Sequence, residues 1–355
     1  MTHHLATALA ALKSSDAYTL ARARAMLSVY DRQWGEKWPE YEIIEAELEF
    51  VIPLLNPESS KPSRTFDLAG KMDVVARHRK TRRVVVIEHK TTSDSVAPDS
   101  DYWDRLRLDS QCSAYYLAAA TLLERDVEGV LYDVLSKPAQ RPCQVATLDA
   151  NGFKIVLDPA GNRVMTKDGK KPRETGDAEK GWVVQGQQET PNEFEARLLA
   201  VMCAEPHEYF AQREVARLDS DIIEFMGDAW SLSQQILYFR SRNLWPRNPN
   251  ACKQFGTCEF FDLCCGRASV DTITYRKKEG IHSELVAQNG NAGRELLTNS
   301  RNNALRKCAR FHDLRYEQGV ERVGEEAEAL TFGTLIHEGL EAYFKSIKQH
   351  QIRET

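Results

Sequence analysis

No stretch of the 355 residues is apolar for anything near the roughly 20 consecutive positions that a membrane helix needs. No secretory leader is expected either, because Met1 to Tyr18 mixes Lys13 and Asp16 into its apolar residues and has no basic start followed by a cleavable core. The expected location is cytoplasmic, with no membrane partner. Internal repeats are lacking, so nothing suggests a solenoid. A large excess of one charge is lacking as well: 47 Lys and Arg face 52 Asp and Glu, for a net charge of -5. A polyanion would have to be gripped by local basic patches, since the overall field is mildly repulsive. What is present is a globular composition, 42% apolar and 28% charged, in a chain long enough to bury a large core.

From Gly70 the chain reads Gly-Lys-Met-Asp73, then a basic turn, then the β-type run Val84-Val85-Val86-Ile87 closing in Glu88-His89-Lys90. Carboxylates on two adjacent strands can share a hard cation, and a lysine two residues beyond the second carboxylate lies on the same strand face. Such a lysine can orient or deprotonate an attacking water beside a metal-bound phosphate. The continuously apolar run predicts a strand buried on both faces, with Glu88 and Lys90 where it emerges. Downstream, Gln111 and Tyr115 stand at i and i+4 on a helix predicted from Asp109 to Glu124, so their side chains share one face.

Gly-x-x-Asp, Glu-x-Lys-Thr and Gln-x-x-x-Tyr together resemble the PD-(D/E)XK nuclease superfamily in its RecB-type exonuclease branch. The resemblance implies an α/β, restriction-endonuclease-like core, a central mixed sheet flanked by helices, with helical elaborations and a Cys-rich region. It implies that Asp73 and Glu88 bind Mg2+ or Mn2+, that the carbonyl of His89 adds a ligand, and that Lys90 is catalytic, with Gln111 and Tyr115 completing the site. Near the other end, Leu330-Thr331-Phe332-Gly333-Thr334-Leu335-Ile336-His337-Glu338 resembles the family helix that precedes those strands, and Ser300 to Phe311, with Cys308, resembles the family's opening segment. Both come last here, while residues 1 to 50, a helix from Asp16 to Trp34 and a strand from Ile43 to Pro53, read like the stretch that normally succeeds that helix. The expectation is a circularly permuted chain in which His337 returns to the site as a nitrogen ligand.

Eight cysteines are present, at 112, 143, 203, 252, 258, 264, 265 and 308, four of them within fourteen residues. A reducing compartment makes such a cluster a metal site before a disulfide framework. The resemblance implies that Cys252, Cys258, Cys264 and the distant Cys308 hold a [4Fe-4S] cluster. Four sulfurs suit zinc as well, and Cys265 could take the place of Cys264. The cluster's role would be structural.

The remaining chain divides into a core over 1–136, an inserted loop region over 137–190 with a hairpin from Phe153 to Lys167, a helical and Cys-rich region over 191–267, a junction over 268–298 and a permuted segment over 299–355. Helices are predicted at Asn192 to Ala204 and Asp219 to Asn243, and a strand at Gly129 to Leu135. Two basic runs, Arg77 to Arg83 and Arg306 to Arg310, could grip backbone phosphates without reading bases. The function expected is a metal-dependent exonuclease on single- or double-stranded DNA, serving phage or bacterial recombination, replication or repair, with partner proteins from that process and the oligomeric state open. The rivals are a nuclease-fold protein that binds DNA ends without cutting and a structural or redox metal-cluster protein.

Overall fold

The computed structural model describes residues 2–123, 127–254, 256–270, 273–283, 285–324 and 328–354. Helix α1 (His3–Ala11) starts at Thr2, whose hydroxyl accepts the Leu5 N–H, and α2 (Ala17–Trp34) at Asp16, whose carboxylate accepts the N–H groups of Tyr18 and Thr19. Two long antiparallel strands come next, β1 (Tyr41–Leu55) and β2 (Pro62–His78), and the basic turn leads into β3 (Val84–Thr92). Helix α3 (Ser110–Leu123) opens at Asp109, whose Oδ1 accepts the Gln111 N–H, and leads towards β4 (Val127–Ser136). The inserted region holds β5 (Gln144–Ala146), β6 (Val156–Leu157), β7 (Val183–Val184) and β8 (Gly186–Gln188). The turn expected over Pro159 to Asn162 forms, but the hairpin around it amounts to a Leu157–Arg163 bridge. β6 takes its strand partner from β7, and β5 from β8.

Helix α4 (Pro191–Ala204) begins in a reciprocal cap between Thr190 and Glu193. Then come β9 (Phe210–Val215) and α5 (Asp219–Arg242), which ends on Asn243 in the left-handed region at φ 47°. The rest comprises α6 (Phe261–Cys264), β10 (Tyr275–Lys277), β11 (Glu295–Thr298), α7 (Asn299–Lys307), α8 (Ala309–His312), β12 (Val320–Arg322) and α9 (Glu328–Glu354).

The central sheet runs β1-β2-β3-β4-β9, with β11 also paired to β2. It is mixed: β3 and β4 are parallel, as are β11 and β2, while the other pairs are antiparallel. One apolar layer packs α1, α2, α4 and α9 on one face, with Tyr30, Trp38, Phe194, Ile336 and Phe344 fully buried. The other packs α3, α5 and α7 on the opposite face around Phe66, Met72, Tyr132 and Ile236. This is the α/β architecture expected, a restriction-endonuclease-like sheet between helical layers.

Three sequence expectations need correction. Residues 268–298 are more than a junction, because β10 and β11 lie there and β11 joins the central sheet. Edge strand β9 and helix α1 are additions to the elements predicted. Glu88 and Lys90 lie inside β3 and not at its end, because pairing with β4 carries the strand on to Thr92.

Candidate active site

The long strand β2 changes partners along one edge. Residues 66–69 pair with β11 and residues 74–77 with β3, leaving Gly70 to Asp73 in the interval. Asp73 therefore projects where the sheet divides. Gly70 is required by crowding: a Cβ there would lie 2.8 Å from the Phe50 ring. On the neighbouring strand Glu88 is buried, and the backbone N–H of His89 donates to Asp73 Oδ2 at 2.8 Å.

Charge balance around the two carboxylates is local. Lys90 Nζ donates to Glu88 Oε1 at 2.6 Å and to Gln111 Oε1 at 2.8 Å. Gln111 Nε2 donates to Glu88 Oε1 at 2.9 Å and to the Tyr115 hydroxyl at 2.7 Å, and that hydroxyl donates to the Lys71 carbonyl at 2.7 Å. The i, i+4 pair on α3 thus clamps β2 to β3. Burial, and then the neighbouring Asp73, push the Glu88 carboxyl up to about 7. Burial also raises Asp73, against the pull of His89 and Lys90. Burial opposes the charge on Lys90, but Glu88 and Asp73 outweigh it and hold the ammonium above its ordinary range.

His337 arrives on α9. That helix is fixed to β1 by Gln351, which accepts the Ile43 N–H and donates to the Tyr41 carbonyl, and to α2 by the Tyr343 hydroxyl on Asp31. Close approach needs Gly339, where a Cβ would meet Leu27 Cδ1 at 2.4 Å. His337 Nδ1 lies 3.6 Å from Asp73 Oδ2, with about a third of its side chain open to solvent. Burial, and then His89, lower its pKa, so the ring presents a neutral nitrogen. Tail and first hundred residues do meet at one cleft, of about 850 Å³.

Several lining residues escaped the sequence reading. Glu47 stands opposite Asp73 in the β1–β2 register, takes φ 59° and ion-pairs with Lys71. Glu338 and Glu341 share the wall with His337, the second at i+4, a spacing visible in the sequence. Lys137 and Ser283 close other sides. Behind the cleft, Asp133 is fully buried, accepting the Tyr30 hydroxyl at 2.5 Å and Gln212 Nε2 at 3.0 Å, with His89 Nδ1 at 3.2 Å. Burial disfavours a charged His89 ring, but Asp133 raises its pKa above the ordinary value.

Glu88 Oε2 is buried without a hydrogen-bond partner, although the other oxygen of the same carboxyl group is paired with Lys90. Oxygen donors of this kind with one imidazole fit a hard or borderline divalent cation. Among the described residues no three His, Cys, Asp or Glu side chains converge tightly enough to hold a metal ion as they stand, and the positive charge beside Glu88 comes from Lys90.

The cysteines meet elsewhere. Cys252, Cys258, Cys264 and Cys308 line one cavity of about 40 Å³ with Phe260 and Phe311, while Cys265 is exposed outside it. The Asn248 N–H points at Cys308 Sγ at 3.3 Å. Burial raises the thiols of Cys258 and Cys264. The four sulfurs line one space but, as they stand, do not converge tightly enough to hold a metal ion. Cys112 is buried in the core, and Cys143 and Cys203 are exposed, all three away from this cavity.

Among the described residues no helix is long and apolar enough to cross a membrane. No curated protein sequence matches the chain. A family model described as the PD-(D/E)XK nuclease superfamily matches residues 2–264, a span that holds Asp73, Glu88, Lys90 and the Gln-x-x-x-Tyr pair and stops short of His337. Match, mixed sheet and motif order agree: the chain belongs to the PD-(D/E)XK nuclease superfamily, whose members are metal-dependent nucleases.

Proposed function

We propose that this chain is a deoxyribonuclease dependent on Mg2+ or Mn2+, acting as an exonuclease in recombination, replication or repair of phage or bacterial DNA. The observation that carries the reading is the meeting of the Asp73 carboxylate and the His337 imidazole, 3.6 Å apart in one cleft, with the buried Glu88 carboxyl close enough for both to act on its charge. Asp73, Glu88 and His337, with the His89 carbonyl, would hold the cation. When bound, the cation supplies Lewis-acid stabilisation of the charge that develops on the phosphate. Lys90, an ammonium in contact with Glu88, orients the attacking water and offsets the negative charge that develops on the phosphate. Gln111 fixes the Lys90 ammonium, and Tyr115 fixes Gln111. The exonuclease assignment rests on the RecB-type sequence pattern.

The same reading treats the chain as circularly permuted. It is supported by α7 and α9 packing into the layers of the central sheet, and by contact between the first and last helices, where His4 Nδ1 and Ser346 Oγ are 3.0 Å apart. Cys252, Cys258, Cys264 and Cys308 would hold a structural [4Fe-4S] cluster, with Zn2+ as the alternative. Visible absorption with iron and zinc analysis separates the two.

The deciding experiment is digestion of end-labelled linear and covalently closed circular DNA, single- and double-stranded, with Mg2+, Mn2+ or EDTA. Linear DNA should be degraded from its ends with metal and spared in EDTA. Cutting of closed circles would overturn the exonuclease assignment, and a Lys90→Ala variant as active as the parent would overturn the chemistry.

A further inference from the structure

A second large groove, of about 1340 Å³, runs beside the catalytic cleft. Its walls come from the β10–β12 ribbon and the segments flanking it. Among the described lining residues are five cations, Arg276, Lys277, Lys278, Arg315 and Arg322, against the carboxylates of Glu259, Glu279 and Glu321. Three of the cations are engaged: Arg276 with Glu321 at 2.6 Å, Lys278 with Glu321 at 3.8 Å, and Arg315 with Glu259 at 2.8 Å. Lys277 and Arg322 are exposed and make no ion pair among the described residues. Ser283 lines this groove and the cleft of Asp73 and His337 alike, so the two are neighbouring parts of one surface path.

We propose that this groove holds the sugar–phosphate backbone of the nucleic-acid strand beyond the phosphodiester at the cleft, with Lys277 and Arg322 as its phosphate contacts. The inference rests on the nuclease reading of the cleft for its direction, and on the groove's own chemistry for its ligand. The volume exceeds the range of about 300–1,000 Å³ usual for small molecules. No Phe, Tyr or Trp among the described residues lines the groove, which disfavours base stacking and leaves charge as the grip. Backbone contacts of that kind position a strand without reading its sequence. They also answer the problem set by a net charge of -5, because the attraction is concentrated where the strand must pass.

The test is binding of a fluorescent single-stranded oligonucleotide to the full chain, measured by anisotropy over a series of salt concentrations in EDTA, where cleavage plays no part. Two phosphate contacts on a single strand contribute about 1.4 to the slope of log affinity against log salt. The variant Lys277→Ala/Arg322→Ala should lose about that much slope and bind roughly tenfold more weakly at moderate salt. The control Lys170→Ala/Lys171→Ala, which removes as much charge from the exposed 137–190 insertion, should stay within about twofold of the parent in affinity and keep its slope. Parent-like binding by the first variant, equal losses in both, or no binding by the parent would each overturn the groove. None of these results bears on whether the cleft cuts DNA, which the digestion assay decides separately. Melting monitored by circular dichroism checks that both variants are folded.

Discussion

The backbone N–H of His89 donates to the Asp73 carboxylate at 2.8 Å, so the strand that carries Glu88 also sets the orientation of the carboxylate across from it. Two buried acids are held close by the sheet itself, and their mutual repulsion is part of the fold. An Asp73→Asn variant keeps an oxygen to accept that N–H and removes one charge. It should abolish cleavage, by on the order of 10³-fold or more in kcat. In EDTA it should melt about 2 °C above the parent, because Glu88 loses the neighbour that helps push its carboxyl up to about 7. Parallel activity assays and calorimetry check this; a variant both inactive and less stable in EDTA would contradict it.

Divalent ions should stabilise the protein by mass action, about 2.7 kcal/mol at a hundredfold excess over Kd. His337→Ala should weaken this stabilisation, and more for Mn2+ than for Mg2+, since the nitrogen donor favours the softer ion. Thermal-shift titrations with both ions measure the difference. Equal titration curves for parent and variant would remove His337 from the coordination set.

The adjacent cysteines should behave oppositely. Cys264 faces the cavity shared with Cys252, Cys258 and Cys308, whereas Cys265 is exposed. Cys264→Ala should lose bound iron or zinc and melt at lower temperature, while Cys265→Ala should match the parent in both. Metal analysis with melting curves distinguishes them, and metal loss on Cys265→Ala alone would reverse the ligand assignment.

A pH dependence arises from His312, which is fully buried, stacks on Trp245 and Tyr316, and accepts from Arg301 Nε at 3.3 Å. Burial, and then the charges of Arg301 and Arg240, lower its pKa from 6.5 to about 3. The folded protein therefore binds fewer protons here than the unfolded chain between those values. This contribution to stability is complete above pH 6.5 and is lost as the pH falls from 6.5 towards 3. Urea unfolding across that range should show a shallower acid decline for His312→Phe than for the parent.

What was readable in the sequence was short-range or carried by a motif. Asp73, Glu88, Lys90 and the Gln111–Tyr115 pair fall on consecutive elements, so strand and helix periodicity place them on shared faces. His337 was found through the Phe-Gly context around it, though it lies far along the chain. Glu47 was missed because its place opposite Asp73 depends on the β1–β2 register and a positive φ, and neither leaves a mark in composition. Strand β11 is four residues long beside a Gly- and Asn-containing stretch, too short for alternation to show. Asp133 did leave a signal: a lone acid within the apolar run Val130 to Leu135 implies buried partners, which Tyr30, His89 and Gln212 supply. The cysteine spacing marked a cluster, but only the packed cavity separates Cys264 from Cys265.

The cleft wall from Phe332 to Glu341 is synthesised long after the strands it faces. A growing polypeptide can lay down β1 to β4 on the ribosome while the imidazole side of the cleft is still untranslated. Assembly of the complete cleft is therefore delayed until the helix that carries His337 has emerged and docked.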